Sequence, residues 1–358
     1  MERMGINEDL HFYAGKTVLV TGHTGFKGSW LCQILLKAGA SVTGYALDPP
    51  TSPSLFALCG LQNCLHDVRG DVRDFAHLSQ TLRACRPDIV FHLAAQPLVR
   101  ESYAFPRETY ETNVMGTVNL LEGIRALERP PLSVLNVTTD KVYDNREWVW
   151  GYREDERLQG FDPYSNSKSC SELVTQTYRD CFFAPLVVPI STARAGNVIG
   201  GGDFSKDRIL PDCIRAAQKD QPILVRHPDS VRPYQHVLDP LFAYLRIARL
   251  QAEDPSLAGS YNVGPDDSGC VTTGELSESF CRAWGEGAAW ESRPEEGPHE
   301  ANFLRLDCSK IRAALGWRPR WDIYTAVEKT VQWSKACLVR GEDPAAYMEQ
   351  QIEEFITT

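Results

Sequence analysis

The chain has 358 residues, 43% hydrophobic and 23% charged, with a formal net charge of −10. This is ordinary globular composition at more than one domain's length, so extensive disorder is excluded and a large domain with a smaller one appended is expected. The acidic balance disfavours nonspecific binding to nucleic acid or an anionic membrane, since both would repel the protein at long range.

The 11 cysteines are scattered singly, and the closest pair, Cys59 and Cys64, lacks the Cys-x-x-Cys spacing of redox or zinc motifs. They read as reduced and mostly buried, with no metal site. No apolar run approaches the roughly 20 residues that cross a bilayer, and the best, at 182–190, is broken by two prolines. Residues 1–13 mix charges with single apolar residues, which predicts no secretory leader and a cytoplasmic protein.

From Lys16 to about Ala193, short β-branched runs alternate with longer amphipathic stretches, the pattern of βα units around a parallel sheet. Strands are predicted at 17–20, 42–46, 89–93, 134–138 and 186–191. The first runs into Thr21-Gly22-His23-Thr24-Gly25-Phe26-Lys27-Gly28 and then into a helical pattern over 29–37. A bound phosphate must approach backbone N–H groups at a helix N-terminus, and Gly22, Gly25 and Gly28 permit that approach. The loop is therefore the predicted dinucleotide cradle. After the second strand, Asp48 is the nearest acidic candidate for an adenosine ribose, which favours NAD over NADP. Gly70-Asp71-Val72 follows the next apolar stretch; Asp71 either accepts from an adenine amino group or caps the helix after it.

The strand at 134–138 ends in Thr138-Thr139-Asp140-Lys141, where parallel sheets gather reactive groups. The bland alternative is that Asp140 and Lys141 are a surface pair of little consequence. Asp162 and Pro163 mark a helix start, and Tyr164 and Lys168, four residues apart, share one face of that helix. A phenol with a pKa of about 10 is a poor base at neutral pH, but a neighbouring ammonium favours the phenolate. Such a pair suits alcohol oxidation.

After Ala193 the pattern loosens into a glycine-rich loop, a helix near 211–219 and short strands at 223–226 and 260–263, which read as a second domain. Residues 285–298, with Gly, Pro and Glu and no period, read as a surface loop, and the chain from Ile323 on reads as helical. No internal repeat or low-complexity tract is visible, which removes solenoids and propellers.

Taken in order, Gly22-x-x-Gly25-x-x-Gly28, Leu93-Ala94-Ala95, Asn113-Val114-x-Gly116-Thr117 and Tyr164-x-x-x-Lys168 resemble the extended short-chain dehydrogenase/reductase family over nearly the whole chain. The resemblance implies an α/β fold: a Rossmann-type doubly wound parallel sheet with a smaller mixed α/β substrate-binding domain. The expected division is 1–193 for NAD and 194–358 mainly for a nucleotide sugar, with some segments returning to the large domain. It implies NAD held by Gly22, His23, Thr24, Gly25, Phe26, Lys27, Gly28, Asp48, Asp71, Val72, Leu93, Ala94, Ala95, Asn113, Thr138, Tyr164 and Lys168. It places Gln96, Asn197, Arg208, Leu210, Arg232 and His299 on the substrate, Arg208 being equally readable as a surface residue.

In the family's nucleotide-sugar dehydratases, Thr or Ser followed by Asp and then Glu or Lys supplies elimination chemistry, and simple epimerases lack that pair. Thr139, Asp140 and Lys141, with Tyr164 and Lys168, are thus the expected catalytic set. Lysine in the last place, together with Glu147-Trp148-Val149-Trp150-Gly151-Tyr152-Arg153-Glu154, resembles the CDP-glucose branch. So do Gly196-Asn197-Val198-Ile199-Gly200-Gly201-Gly202-Asp203-Phe204, Val231-Arg232-Pro233-Tyr234-Gln235-His236-Val237 and His299-Glu300-Ala301-Asn302. UDP-N-acetylglucosamine dehydratases can also carry Asp-Lys but commonly lack the tyrosine present here. The resemblance implies dehydration of CDP-glucose in deoxysugar and O-antigen lipopolysaccharide biosynthesis, by a homodimer or homotetramer with a helical interface. The alternatives are another nucleotide-sugar 4,6-dehydratase, a 4-epimerase, or an NAD sensor without turnover.

Overall fold

A computed structural model describes residues 2–294 and 302–358. Its centre is a seven-stranded parallel sheet built from β1 (Thr17–Thr21), β2 (Ser41–Ala46), β3 (His66–Arg69), β4 (Ile89–His92), β5 (Ser133–Thr139), β6 (Ile190–Ala195) and the strand Ser260–Val263. The spatial order is Ser260–Val263, β6, β5, β4, β1, β2, β3. The chain winds outward from β1 through β2 to β3, then crosses back to lay β4 on the other side of β1. The two halves therefore diverge at the carboxyl ends of β1 and β4, which is where such sheets open a ligand crevice.

β4, β5 and β6 are buried along their whole lengths, as strands covered on both faces must be. On one face, Trp30, Leu31 and Leu35 of the helix Phe26–Lys37 pack with Leu241, Tyr244 and Leu245 of the helix Leu238–Glu253. On the other, Leu78 and Leu82 of Phe75–Cys85 and Leu120, Leu121 and Ile124 of Gly116–Arg125 cover Leu19, Val90 and Val134. A second core of Leu210, Ile214, Ile223, Val225, Leu276, Phe280 and Val327 forms the smaller lobe beyond the strand ends. Among the described residues no helix is long and apolar enough to cross a membrane.

Several expectations need correction. The strand predicted at 186–191 begins at Ile190 and runs through Ala195, because Val187 takes a left-handed φ of 55° after a short turn at Ala184–Leu186. β3 carries His, Asp and Arg and is only partly buried, so it showed no apolar signal. The surface loop expected at 285–298 contains a strand, Trp290–Ser292, which pairs in parallel with Ile223–Val225; residues 295–298 lie outside the described part. Asp71 does not cap the following helix. Asp74 does, accepting from the His77 N–H at 3.0 Å, while Asp71 holds Arg73. The strand Ser260–Val263 joins the large sheet beside β6.

Candidate active site

Gly22 sits at φ 75°, and a Cβ there would lie 2.7 Å from the Ala94 nitrogen; a Cβ on Gly28 would collide with the Gly22 carbonyl. Gly22 lets the turn after β1 fold against the segment after β4, and Gly28 lets the start of the helix close on that turn. Gly25 differs: its Cβ would meet only the Gly22 oxygen, at 3.5 Å, so the space before it is open. It caps the Phe26–Lys37 helix without a side-chain bond, leaving first-turn N–H groups facing that space. The cradle fits a dinucleotide diphosphate on these grounds.

Around the cradle, His23 is fully buried, its Nε2 2.9 Å from Asp67, and burial holds its pKa below the usual imidazole range. Its ring fills the space over Gly44 and braces the loop. Thr24 donates to the Leu47 carbonyl at 3.0 Å. The Asp48 side chain is 92% exposed at the end of β2, 3.5 Å from Arg69, which also binds Asp67 at 2.7 Å. Val72 packs where a Cβ on Gly116 would fall. Ala94, between Leu93 and Ala95, donates its N–H to the Thr21 hydroxyl at 3.3 Å. Buried Asn113 accepts from the Gln96 N–H at 2.9 Å and donates to Ser167 at 2.9 Å, stapling the segment after β4 to the helix Pro163–Tyr178.

That helix starts with Asp162 accepting from the Ser165 N–H at 2.9 Å and Pro163 in its first turn. It aims Tyr164, Lys168 and Glu172 inward, all buried. Burial pushes the Tyr164 phenol up to about 12, opposed by a hydrogen bond with Thr139. Burial lowers Lys168 to about 8, opposed by Glu172, and its Nζ donates to the Val137 carbonyl at 3.2 Å. Glu172 in turn accepts from Thr138, from Thr192 at 2.7 Å and from Arg194 at 2.9 Å. This buried network fixes the end of β5 against the helix.

At that end, the Thr139 hydroxyl donates to Asp140 Oδ1 at 3.0 Å. Asp140 is 1% exposed, and its Oδ2 has no hydrogen-bond partner among the described residues. Burial raises its pKa, with Lys141, Thr139, Arg232 and Lys27 acting against that rise. A carboxyl in this setting tends to hold its proton and is suited to act as an acid.

Thr139, Asp140, Lys141, Tyr164, Asn197, Arg208, Leu210 and Arg232 all line one cleft of about 840 Å³ between the strand ends and the smaller lobe. Gln96 does not line it; its side-chain oxygen accepts from the Leu98 N–H at 2.9 Å. His299 lies outside the described residues. Arg208 is also bonded to Asp203 at 3.1 Å. Glu172 and Arg194 escaped the sequence reading, although Glu172 lies one further turn along the face that carries Tyr164 and Lys168. Arg194 had no signal, being a charge inside a buried strand. Among the described residues no cluster of three or more metal-ligating side chains occurs.

A family model described as GDP-mannose 4,6 dehydratase matches residues 19–330. The chain belongs to that family. A CDP-glucose 4,6-dehydratase from Salmonella typhimurium is 48% identical over 355 residues, 98% of each chain. Among solved structures, an epimerase from Methanothermobacter thermautotrophicus aligns over 94% of this chain and 96% of its own with TM-score 0.80 at 23% identity. A dTDP-glucose 4,6-dehydratase from Bacillus anthracis, solved in complex with NAD, aligns over 90% and 97% with TM-score 0.75 at 21% identity. At those identities the two structures bear on the fold, and membership of the family rests on the model match and on the 48% relative.

Proposed function

We propose that this chain is an NAD-dependent dehydratase that converts CDP-glucose to CDP-4-dehydro-6-deoxyglucose. The observation that carries the reading is that Asp140 and Lys141 line the same cleft as Tyr164 in a chain 48% identical, end to end, to a CDP-glucose 4,6-dehydratase. A 4-epimerase has no use for the acid and base at 140 and 141, and a sensor has none for Tyr164 and Lys168. NAD, with its diphosphate at the first turn of the Phe26–Lys37 helix, supplies a hydride acceptor for sugar C4 and a donor for C6.

Tyr164, supported by Lys168, takes the proton of the 4-hydroxyl. The resulting ketone acidifies C5–H, and Lys141 removes that proton. Asp140 protonates the 6-hydroxyl, which leaves as water. Lys141 returns its proton to C5 as C6 is reduced. Tyr164 then holds one proton too many and Asp140 one too few. The Thr139 hydroxyl, hydrogen-bonded to both, is the path by which the proton crosses to reset the site. The test is formation of a product lighter by one water with no net consumption of NAD; turnover to an epimer at unchanged mass would contradict it.

The same reading places the enzyme in the cytoplasm, in deoxysugar and O-antigen lipopolysaccharide biosynthesis, with residues 1–193 mainly serving NAD and 194–358 mainly the nucleotide sugar. It also makes the protein a homo-oligomer. The helices Gly116–Arg125 and Pro163–Tyr178 pack together, and Met115, just before the first, and Leu173, on the second, are 50% and 49% exposed. Apolar side chains left open on a helix pair suit a second copy of the chain. Changing Met115 and Leu173 together to Asp is expected to halve the mass seen by light scattering, whereas an unchanged mass would place the interface elsewhere.

A further inference from the structure

The glycine loop lends a single side chain to the substrate cleft, that of Lys27. Its neighbours Gly22 to Phe26 turn toward the cofactor cradle or into the core, so Lys27 alone carries charge from the cofactor side into the space where the nucleotide sugar would lie. Among the described residues its ammonium has neither a hydrogen bond nor an ion pair.

The charged groups that face it are Arg208 and Asp203 from the segment before the helix Ile209–Ala217, Asp140 from the end of β5, and Lys168 from the helix Pro163–Tyr178. Both carboxylates favour its charged form, but among the described residues neither forms an ion pair with it. Asp203 accepts from Arg208 at 3.1 Å and from the Ser205 N–H at 3.0 Å. Asp140 is buried in a setting that favours its protonated form. The fold therefore sets Lys27, which makes no ion pair among the described residues, across one partly desolvated cleft from Arg208, whose charge is already met by Asp203 at 3.1 Å, an arrangement that costs free energy until an anion arrives. Burial, with Arg208 next in size, lowers Lys27 to about 7.

We propose that Lys27 and Arg208 together clamp the diphosphate of the nucleotide sugar, Lys27 taking the phosphate attached to the sugar. The assignment to that phosphate follows from position: Lys27 neighbours Asp140 and Lys168, the reacting end of the cleft, while Arg208 reaches in from the smaller lobe. This rests on the reading of the cleft as a nucleotide-sugar site. It makes one residue of the cofactor loop a specificity element for the other ligand.

The test is binding by calorimetry with NAD present, which needs no turnover and so stands even where CDP-glucose is not dehydrated. Lys27→Met is expected to weaken CDP by about tenfold and CMP, which lacks the second phosphate, by less than about twofold, the loss of one charge-assisted contact. Lys27→Arg should restore CDP affinity, which also shows that the fold survives substitution. A dianion favours the ammonium, so wild-type affinity for CDP should be highest below pH 7 and fall as pH rises through about 7, as Lys27 loses its proton in the free protein. Lys27→Arg keeps its charge and should not show this loss. Equal weakening of CDP and CMP, unchanged CDP affinity in Lys27→Met, or weakened NAD with CDP unaffected would each overturn the proposal. If the wild type binds no CDP, the same comparison is made with dTDP, UDP and GDP, and binding of none of the four would also overturn it.

Discussion

Tyr164→Phe is expected to lower turnover of CDP-glucose by a factor on the order of 10³, the usual range for loss of a positioned base being 10²–10⁴. Beside Tyr164, the groups at the end of β5 and on its own helix are poorly placed to take the 4-hydroxyl proton. Lys168 is committed to the Val137 carbonyl, Thr139 is too weak a base, and Asp140 sits where burial favours its protonated form. The substitution keeps the ring and its packing, so the fold and NAD binding should persist, and both the appearance of reduced nicotinamide and the release of water should fail together. Activity within about tenfold of wild type would mean that the 4-hydroxyl proton goes elsewhere.

Lys141→Ala should separate the two halves of the reaction. Oxidation at C4 needs Tyr164 and Lys168, both untouched, so reduced nicotinamide should accumulate on mixing enzyme, NAD and substrate. Elimination needs removal of the C5 proton and should slow by about 10²–10⁴-fold. In heavy water the variant should also fail to exchange deuterium into C5, which a merely distorted site would not predict so selectively. Normal formation of the 4-keto-6-deoxy product by this variant would remove Lys141 from the mechanism. The pairing matters because an epimerase-like site would show the first step and have no second one to lose.

Much of this architecture is legible in the sequence. β1, β4 and β5 are short apolar runs followed by turns, and burial on both faces demands such runs. Tyr164 and Lys168 were readable because helical spacing fixes their common face, and Thr139 to Lys141 because a strand end in a parallel sheet fixes theirs. β3 was not, since an edge strand of His, Asp, Val and Arg has no need of apolar alternation. Nor was Arg194, whose burial depends on Glu172, a partner 22 residues away. The direction of the Lys27 side chain was also hidden. A glycine-loop motif specifies the backbone path but leaves open whether a residue in the first helical turn looks toward the cofactor or across it.

Local capping competition explains why the cap falls to Asp74 and not to Asp71. Asp71 and Asp74 both precede the Phe75–Cys85 helix, and only the position of the first helical turn decides which carboxylate meets free N–H groups. Hydropathy also misplaced β6, because Val187 and Val188 carry a strand-like signal while the backbone at Val187 is left-handed and Pro189 cannot donate to a ladder.

The most direct measurement is to supply CDP-glucose labelled with deuterium at C4, and in parallel dTDP-, UDP- and GDP-glucose, with catalytic NAD, and to follow mass and label position. CDP-glucose alone should lose water efficiently, NAD should not be consumed, and the deuterium should reappear on C6 of the same sugar. Water loss from another nucleotide sugar in preference would contradict the base assignment, and a product of unchanged mass, or one whose label is lost to solvent, would contradict the dehydratase mechanism itself.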